Sequence, residues 1–314
     1  MQRKIYLIEN PFYNQMRRET LGTLFAILAG IISGVAIPLN KIFIVKMDTL
    51  VFTAIRSIII GLIFLFLSLK NKPNIRTFKR NWKSLLAIAL VGGAFAFLLF
   101  FSGLKLTTSG RAAFLHKTLP LYVAILAYLF LKERITKEMI YGLTFMFVGT
   151  AVIYQSQILP GPMWQNPSIG DLLVVIATIL WAIENIIAKK VMIYGEDNFI
   201  VSFSRMFFGG LILFGIILLT GRLSMLLITV EQLRNIIIST AVLFAYVYTW
   251  YSSVKLINVS KATSFLLIAP VVSFLLGVIV LGEPFDSIQI TGSIMILIGS
   301  YIMTKVESER LERI

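Results

Sequence analysis

The sequence predicts an all-α membrane protein: ten transmembrane helices arranged as two inverted five-helix repeats. Three observations lead to that fold. Hydrophobic residues make up 58% of the 314 residues and charged residues only 14%, and the mean hydropathy is +0.88, more apolar surface than one soluble core can hide. The apolar residues are gathered into stretches close to the roughly 20 residues a helix needs to cross a hydrocarbon core. The second half of the chain also echoes the first at an offset of about 150 residues.

Taken in order, the apolar stretches run from Leu21 to Leu39, Thr49 to Leu69, Ser84 to Leu104, Ala112 to Leu131 and Met139 to Gln155. After a linker they run from Asp171 to Ile187, Phe199 to Leu219, Asn235 to Val254, Ala262 to Leu281 and Ile288 to Thr304. Residues 1–20 lack the apolar core and small-residue cleavage site of a signal peptide, so the first spanning helix is expected to serve as the insertion signal. Tyr6, Leu7, Phe12 and Tyr13 lie among Arg and Lys in this arm, which suits either a membrane-surface segment or a disordered basic tail. Residues 21–155 then form the first repeat, and residues 156–170, with Pro160, Pro162 and Pro167, the external linker. Residues 171–304 form the second repeat and residues 305–314 a tail.

The net charge of +14 does not point to nucleic acid, because the positions of the cations carry the information. Twenty of the 29 Lys and Arg fall in the N-terminal arm, alternate loops and the tail, among them Lys70 to Lys83, Lys132 to Lys137 and Lys189-Lys190. Only six fall in the intervening loops. The positive-inside rule therefore places both termini in the cytoplasm, with the cell membrane as the location. No cysteine is present, so disulfides and thiolate metal sites are excluded, and neither a metal nor a cofactor is expected.

The internal repeat is specific in residue type. At one spacing Lys105 aligns with Lys255, Pro120 with Pro270, Glu133 with Glu283, Gly142 with Gly292 and Gly149 with Gly299. At offsets one or two residues shorter Arg56 aligns with Arg205 and Gly22 with Gly170. Each half holds five spans, an odd number, so the second half enters the membrane from the other side. Such halves let one set of contacts close one mouth and the equivalent set close the other.

These residues carry a resemblance. Thr118-Leu-Pro120 leading to Leu131-Lys-Glu133, Ala269-Pro270 leading to Leu281-Gly-Glu283-Pro284, and Arg56 and Arg205 early in the second helix of each half resemble an EamA-type member of the drug/metabolite transporter superfamily over residues 20 to 305. The resemblance implies ten helices, cytoplasmic termini, a central cavity between the halves and export or exchange of metabolites.

Charged groups inside spanning helices cost at least about 2.5 to 3.5 kcal/mol on insertion scales, so they usually face a cavity or a partner. Here they are Arg56, Lys117, Glu184 and Arg205, with His116 as a titratable neutral. Lys117 breaks the repeat, its equivalent being Leu267, and is expected to bind substrate, while His116 is expected to pack between helices. Pro120 and Pro270 are expected to ease bending. Arg56 and Arg205 occupy equivalent positions and read as structural or gating residues, each doing the same thing in its own half. Glu184 is expected to pair with Lys189 or Lys190 near its helix end, a proton-coupling role being the alternative. Trp181 and Tyr248, with Tyr246, Trp250 and Tyr251, are candidates for an aromatic wall or for packing. The substrate is expected to be anionic or zwitterionic, such as an amino acid, since three cations face one acid in the spans. The other partner is membrane lipid, and the oligomeric state is open. A channel or a membrane adaptor is the alternative. An enzyme is disfavoured by a single histidine and the absence of paired intramembrane carboxylates, HExxH or a P-loop.

Overall fold

The computed structural model describes residues 11–43, 47–71, 74–158, 168–221, 228–282 and 287–308. The linker prolines, Tyr6, Leu7, Glu283 and Pro284 lie outside them. The described residues form ten long helices. In the first half these are α1 (Pro11–Phe43), α2 (Thr49–Lys70), α3 (Ile75–Leu104), α4 (Ser109–Leu131) and α5 (Lys137–Ile153). In the second they are α6 (Ile169–Ile193), α7 (Asn198–Leu219), α8 (Val230–Leu256), α9 (Val259–Ser264 continuing through Phe265–Ile268 and Ala269–Leu281) and α10 (Ser287–Thr304). All but α5 are at least 18 residues long and apolar enough to cross a membrane. With 17 residues, α5 meets the lower limit for a span.

Several helices start earlier than their apolar stretches. Ser168 and Asp171 form a capping box at α6, and Thr229 and Gln232 form one at α8. Each box satisfies amide groups that would otherwise lack partners, so polar residues outside the hydropathy window still join the helix. Asp48 caps α2 without a reciprocal bond, accepting from the Leu50 and Val51 amides at 2.9 and 3.1 Å.

The two halves interlock about a pseudo-two-fold axis, and glycine contacts make the symmetry visible. A Cβ on Gly149 of α5 would sit 2.6 Å from the Gly292 carbonyl of α10, and a Cβ on Gly292 would sit 2.6 Å from the Gly149 carbonyl. Gly142 and Gly299 meet in the same way. The repeat register turns one of these contacts into the other. Gly22 of α1 packs on Leu256 of α8, as Gly170 of α6 packs on Leu106 after α3. Gly61 of α2 approaches Phe207 of α7, as Gly210 of α7 approaches Ile58 of α2. At Gly61, Gly149, Gly170, Gly292 and Gly299 a Cβ would come within 3.0 Å of a backbone atom, so any larger residue there must push a neighbouring chain aside.

Helices α4 and α9 are both interrupted before their prolines. In α4 the break falls at Lys117 and Thr118, where the Lys117 and Thr118 amides donate to the Phe114 and Leu115 carbonyls at 2.9 and 3.2 Å. In α9 the turns at Phe265–Ile268 tighten to 3₁₀ geometry. Pro120 and Pro270 then lie in the first turn of the second segment, where a missing amide hydrogen costs nothing. The segments end alike, at Lys132 with φ 56° and Gly282 with φ 66°. Thus Pro120 follows a short tightened turn in which Lys117 and Thr118 keep helical backbone angles.

The two ends of the bundle differ. The start of α9, at the end where α1 begins and here called the basic end, is the more deeply buried. Every residue from Val259 to Pro270 is buried, whereas the equivalent run at the opposite end, from Ser109 to Pro120, includes an exposed Ser109 and half-buried Gly110, Ala113, Phe114, His116 and Thr118.

Candidate functional site

Inside the bundle, α3, α4, α6, α7 and α8 bring together a group of polar and aromatic side chains. Glu184 lies on α6, nine residues before its end, or about 13 Å deep at 1.5 Å per residue. It is fully buried. The Tyr251 hydroxyl on α8 donates to its Oε1 at 2.5 Å, and Nε of Arg205 on α7 stands 3.8 Å from its Oε2. That separation is an ion pair but not a hydrogen bond, so Glu184 Oε2 and Arg205 Nε are both buried without a hydrogen-bond partner. The Arg205 guanidinium also lies 5.9 Å from the Tyr251 ring centroid.

Glycine and π-helical turns make room for this pair. Both α3, at Ala89–Phe95, and α7, at Ser204–Phe208, contain such a turn, and the two turns pack on each other. A Cβ on Gly92 would run into the side chain of Glu184, and Gly93 and Gly209 meet backbone to backbone. The Gly92 carbonyl accepts a bond from the Trp181 indole nitrogen at 3.1 Å. Trp181 in turn packs edge-on against His116, with ring centroids 4.9 Å apart, and both lean on Phe100. His116 Nδ1 is a third buried atom without a partner. One position along, Lys117 is buried, and its Nζ donates to the Leu266 carbonyl at 3.3 Å. This bond links the break in α4 to the 3₁₀ turn in α9.

The sequence expectations meet this arrangement unevenly. His116, Trp181, Glu184, Arg205 and Tyr251 converge, with Lys117 and Arg205 both within electrostatic reach of His116. Tyr248 does not join them; its ring partners are Phe25, Phe199 and Phe244. The expected pairing of Glu184 with Lys189 or Lys190 is corrected. Residues five or six further along a helix point away from Glu184, and the Lys189 ammonium donates instead to the Val254 and Ile257 carbonyls, each at 2.7 Å. Arg56 and Arg205 also have different partners. Arg56 donates to the Asn40 side chain at 3.3 Å and to Ser239, and lies over the Phe52 ring.

Four further polar groups went unnoticed in the sequence. Arg111 on α4 pairs with Asp171 on α6, and Lys261 on α9 pairs with Glu19 on α1 at 2.6 Å. Arg111 and Lys261 are 150 positions apart, so equivalent cations tie each half to the other at opposite ends. The repeat alignment held that signal, but an end-of-helix residue reads as a loop residue by hydropathy. At the basic end, Glu133 after α4 accepts from the Val259 and Ser260 amides at 2.8 and 3.1 Å and from the Ser260 hydroxyl at 2.6 Å. It caps α9, whose own cap position, Asn258, makes no such side-chain bond.

A bundle of apolar helices in two inverted halves, with incompletely satisfied polar groups buried between them, defines an integral membrane protein built as an inverted repeat. The chain belongs to the EamA-like transporter family, which matches it twice, over residues 20–155 and 168–305. It is therefore a multi-pass membrane transporter of the drug/metabolite transporter superfamily. It is 26% identical over 231 residues to "Uncharacterized transporter YyaM" of Bacillus subtilis (strain 168), covering 70% of this chain and 72% of that protein. It is 30% identical over 244 residues to an "Uncharacterized transporter" of Archaeoglobus fulgidus, covering 72% of this chain and 79% of the relative. A crystal structure of a protein with 17% identity superposes with a TM-score of 0.74, covering 91% of this chain and 97% of the other, which shows the shared fold.

Proposed function

We propose that this transporter exports or exchanges a small organic metabolite with an anionic or zwitterionic head group, such as an amino acid, by alternating access. The observation that carries this reading is the unbalanced set of buried charges at the centre. Lys117 and Arg205 stand against the single carboxylate of Glu184, and Arg205 Nε and Glu184 Oε2 make no hydrogen bond. Among the described residues Lys117 has a single hydrogen bond, 3.3 Å long, to a neutral carbonyl. Ions left in low dielectric without full pairing are costly, and a solute bringing a carboxylate would offset that cost. Glu184 can take the ammonium of a zwitterion, and the Trp181, His116 and Phe100 rings offer an apolar wall for its organic part. On the positive-inside argument, the basic end faces the cytoplasm, both termini are cytoplasmic and the host is the plasma membrane.

Counterflow in proteoliposomes, screened over organic anions and amino acids, tests the reading, since saturable counterflow separates a carrier from a channel. In that assay Lys117→Gln is expected to weaken half-saturation by about ten- to hundred-fold, the worth of a charge-assisted hydrogen bond, and Lys117→Arg to lose less. Unchanged half-saturation in Lys117→Gln removes Lys117 from the substrate site. Absence of counterflow for every solute tested counts against a carrier.

A further inference from the structure

The two equivalent arginines differ in one respect that the repeat makes plain. Arg205 has Glu184 beside it. At the register that aligns Gly22 with Gly170, the position matching Glu184 is Ala36, and one turn further along the same face of α1 stands Asn40. Asn40 is the residue that Arg56 reaches, at 3.3 Å. The Ser239 hydroxyl on α8 closes a triangle by accepting from Arg56 and donating to Asn40 Oδ1 at 3.1 Å. The partner beside this arginine is thus a neutral amide, one turn beyond the position that matches the acid of the other half.

Arg56 is only 6% exposed and Ser239 3%. Among the described residues no carboxylate pairs with Arg56, and its Nε is buried without a partner. An arginine held in a membrane span by neutral groups alone is costly. Its planar fork suits an oxyanion more than it suits a single amide oxygen. We infer that Arg56, Asn40 and Ser239 form a second anion subsite, nearer the opposite end than the central group, which takes the carboxylate or phosphate of a solute as it enters or leaves. This rests on the proposed anionic or zwitterionic substrate. Arg56 and Ser239 are buried and Asn40 is half-buried among α1, α2 and α8, which favours a solute over a lipid headgroup.

The test uses purified protein in neutral detergent at constant ionic strength, titrated with acetate and with inorganic phosphate while the unfolding midpoint is followed. Both oxyanions are expected to raise the midpoint. Arg56→Gln should lower the apparent affinity of this response at least about ten-fold, while Arg56→Lys keeps most of it. Asn40→Asp supplies the missing carboxylate and should abolish the Arg56-dependent response while leaving the fold intact, so it decides the matter even where Arg56→Gln does not fold. An Asn40→Asp variant that binds both oxyanions like the parent overturns the inference. So does loss of the Arg56-dependent response in nanodiscs of phosphatidylglycerol but not of phosphatidylcholine, which would assign the site to a lipid headgroup. A response weakened only by Lys117→Gln sinks this subsite and leaves the central reading standing.

Discussion

Glu133 shows how one side chain can tie the end of a helix in one half to the start of a helix in the other. It is buried, and its two oxygens accept three bonds from the start of α9. Glu133→Ala would leave two buried amides and a hydroxyl without that acceptor, at a cost of about 3 kcal/mol or more. The expected outcome is an unfolding midpoint lowered by several degrees, with Glu133→Gln losing less, measured in detergent. Its place in the repeat was legible in the sequence, but its partners, 126 and 127 positions away, were not. Glu196, in the loop between α6 and α7, gives a pH-dependent prediction. Burial pushes its carboxyl above the usual range, outweighing a 3.3 Å bond from Asn81. A carboxyl whose pKa is higher folded than unfolded stabilises fully below the unfolded value, and that contribution is lost as pH rises through the folded one. Glu196→Gln is therefore expected to raise the midpoint at neutral pH and to change it little near about pH 4. A benefit confined to acid would show that burial does not govern this group.

At the scale of elements, the breaks in α4 and α9 and the glycine seams do different work. Each break sits at the same repeat position and is followed by a proline that tolerates the interruption. If the segments swing about these points during exchange, Pro120→Ala and Pro270→Ala will slow counterflow while leaving the unfolding midpoint near that of the parent, because alanine favours a continuous helix. Unchanged turnover in both would make the prolines mere accommodation. The α5–α10 seam predicts the reverse pattern. Gly149→Ala places a methyl 2.6 Å from a backbone carbonyl, and overpacking of that kind costs about 1 to 3 kcal/mol. Stability should fall in a thermal scan, and an unshifted midpoint would mean that the seam yields easily. The sequence showed these prolines and glycines as repeat mates. It did not show which helices they join, since a repeat register states equivalence and not contact. Helix starts were misjudged where a capping box extended the helix into polar sequence, as at Ser168 and Thr229.

For the whole molecule, the fold was legible because a hydrocarbon solvent leaves few choices: apolar length fixes the spans and an odd number per half fixes the inversion. The site was legible only in part. Lys117, His116, Trp181, Glu184 and Arg205 stood out as polar or aromatic groups in apolar helices. That Glu184 meets Arg205 and Tyr251, and that Tyr248 belongs to a separate aromatic cluster, depends on helix rotation set by packing. The proposed orientation can be checked directly, since the chain has no cysteine to give background labelling. Single cysteines replacing the exposed residues Asn74, at the basic end, and Lys105, at the opposite end, should react with an impermeant maleimide in whole cells at position 105 alone. Reaction at position 74 instead would invert the assignment of the cytoplasmic side.

The seam between α5 and α10 carries one more implication. Exchanging the two halves maps each of its glycine contacts onto another contact of the same seam. A surface with that property does not distinguish a partner encoded further along the same chain from a twin inserted upside down. Two copies of a single half, threaded into the bilayer in opposite directions, would find in each other the seam that this chain finds within itself.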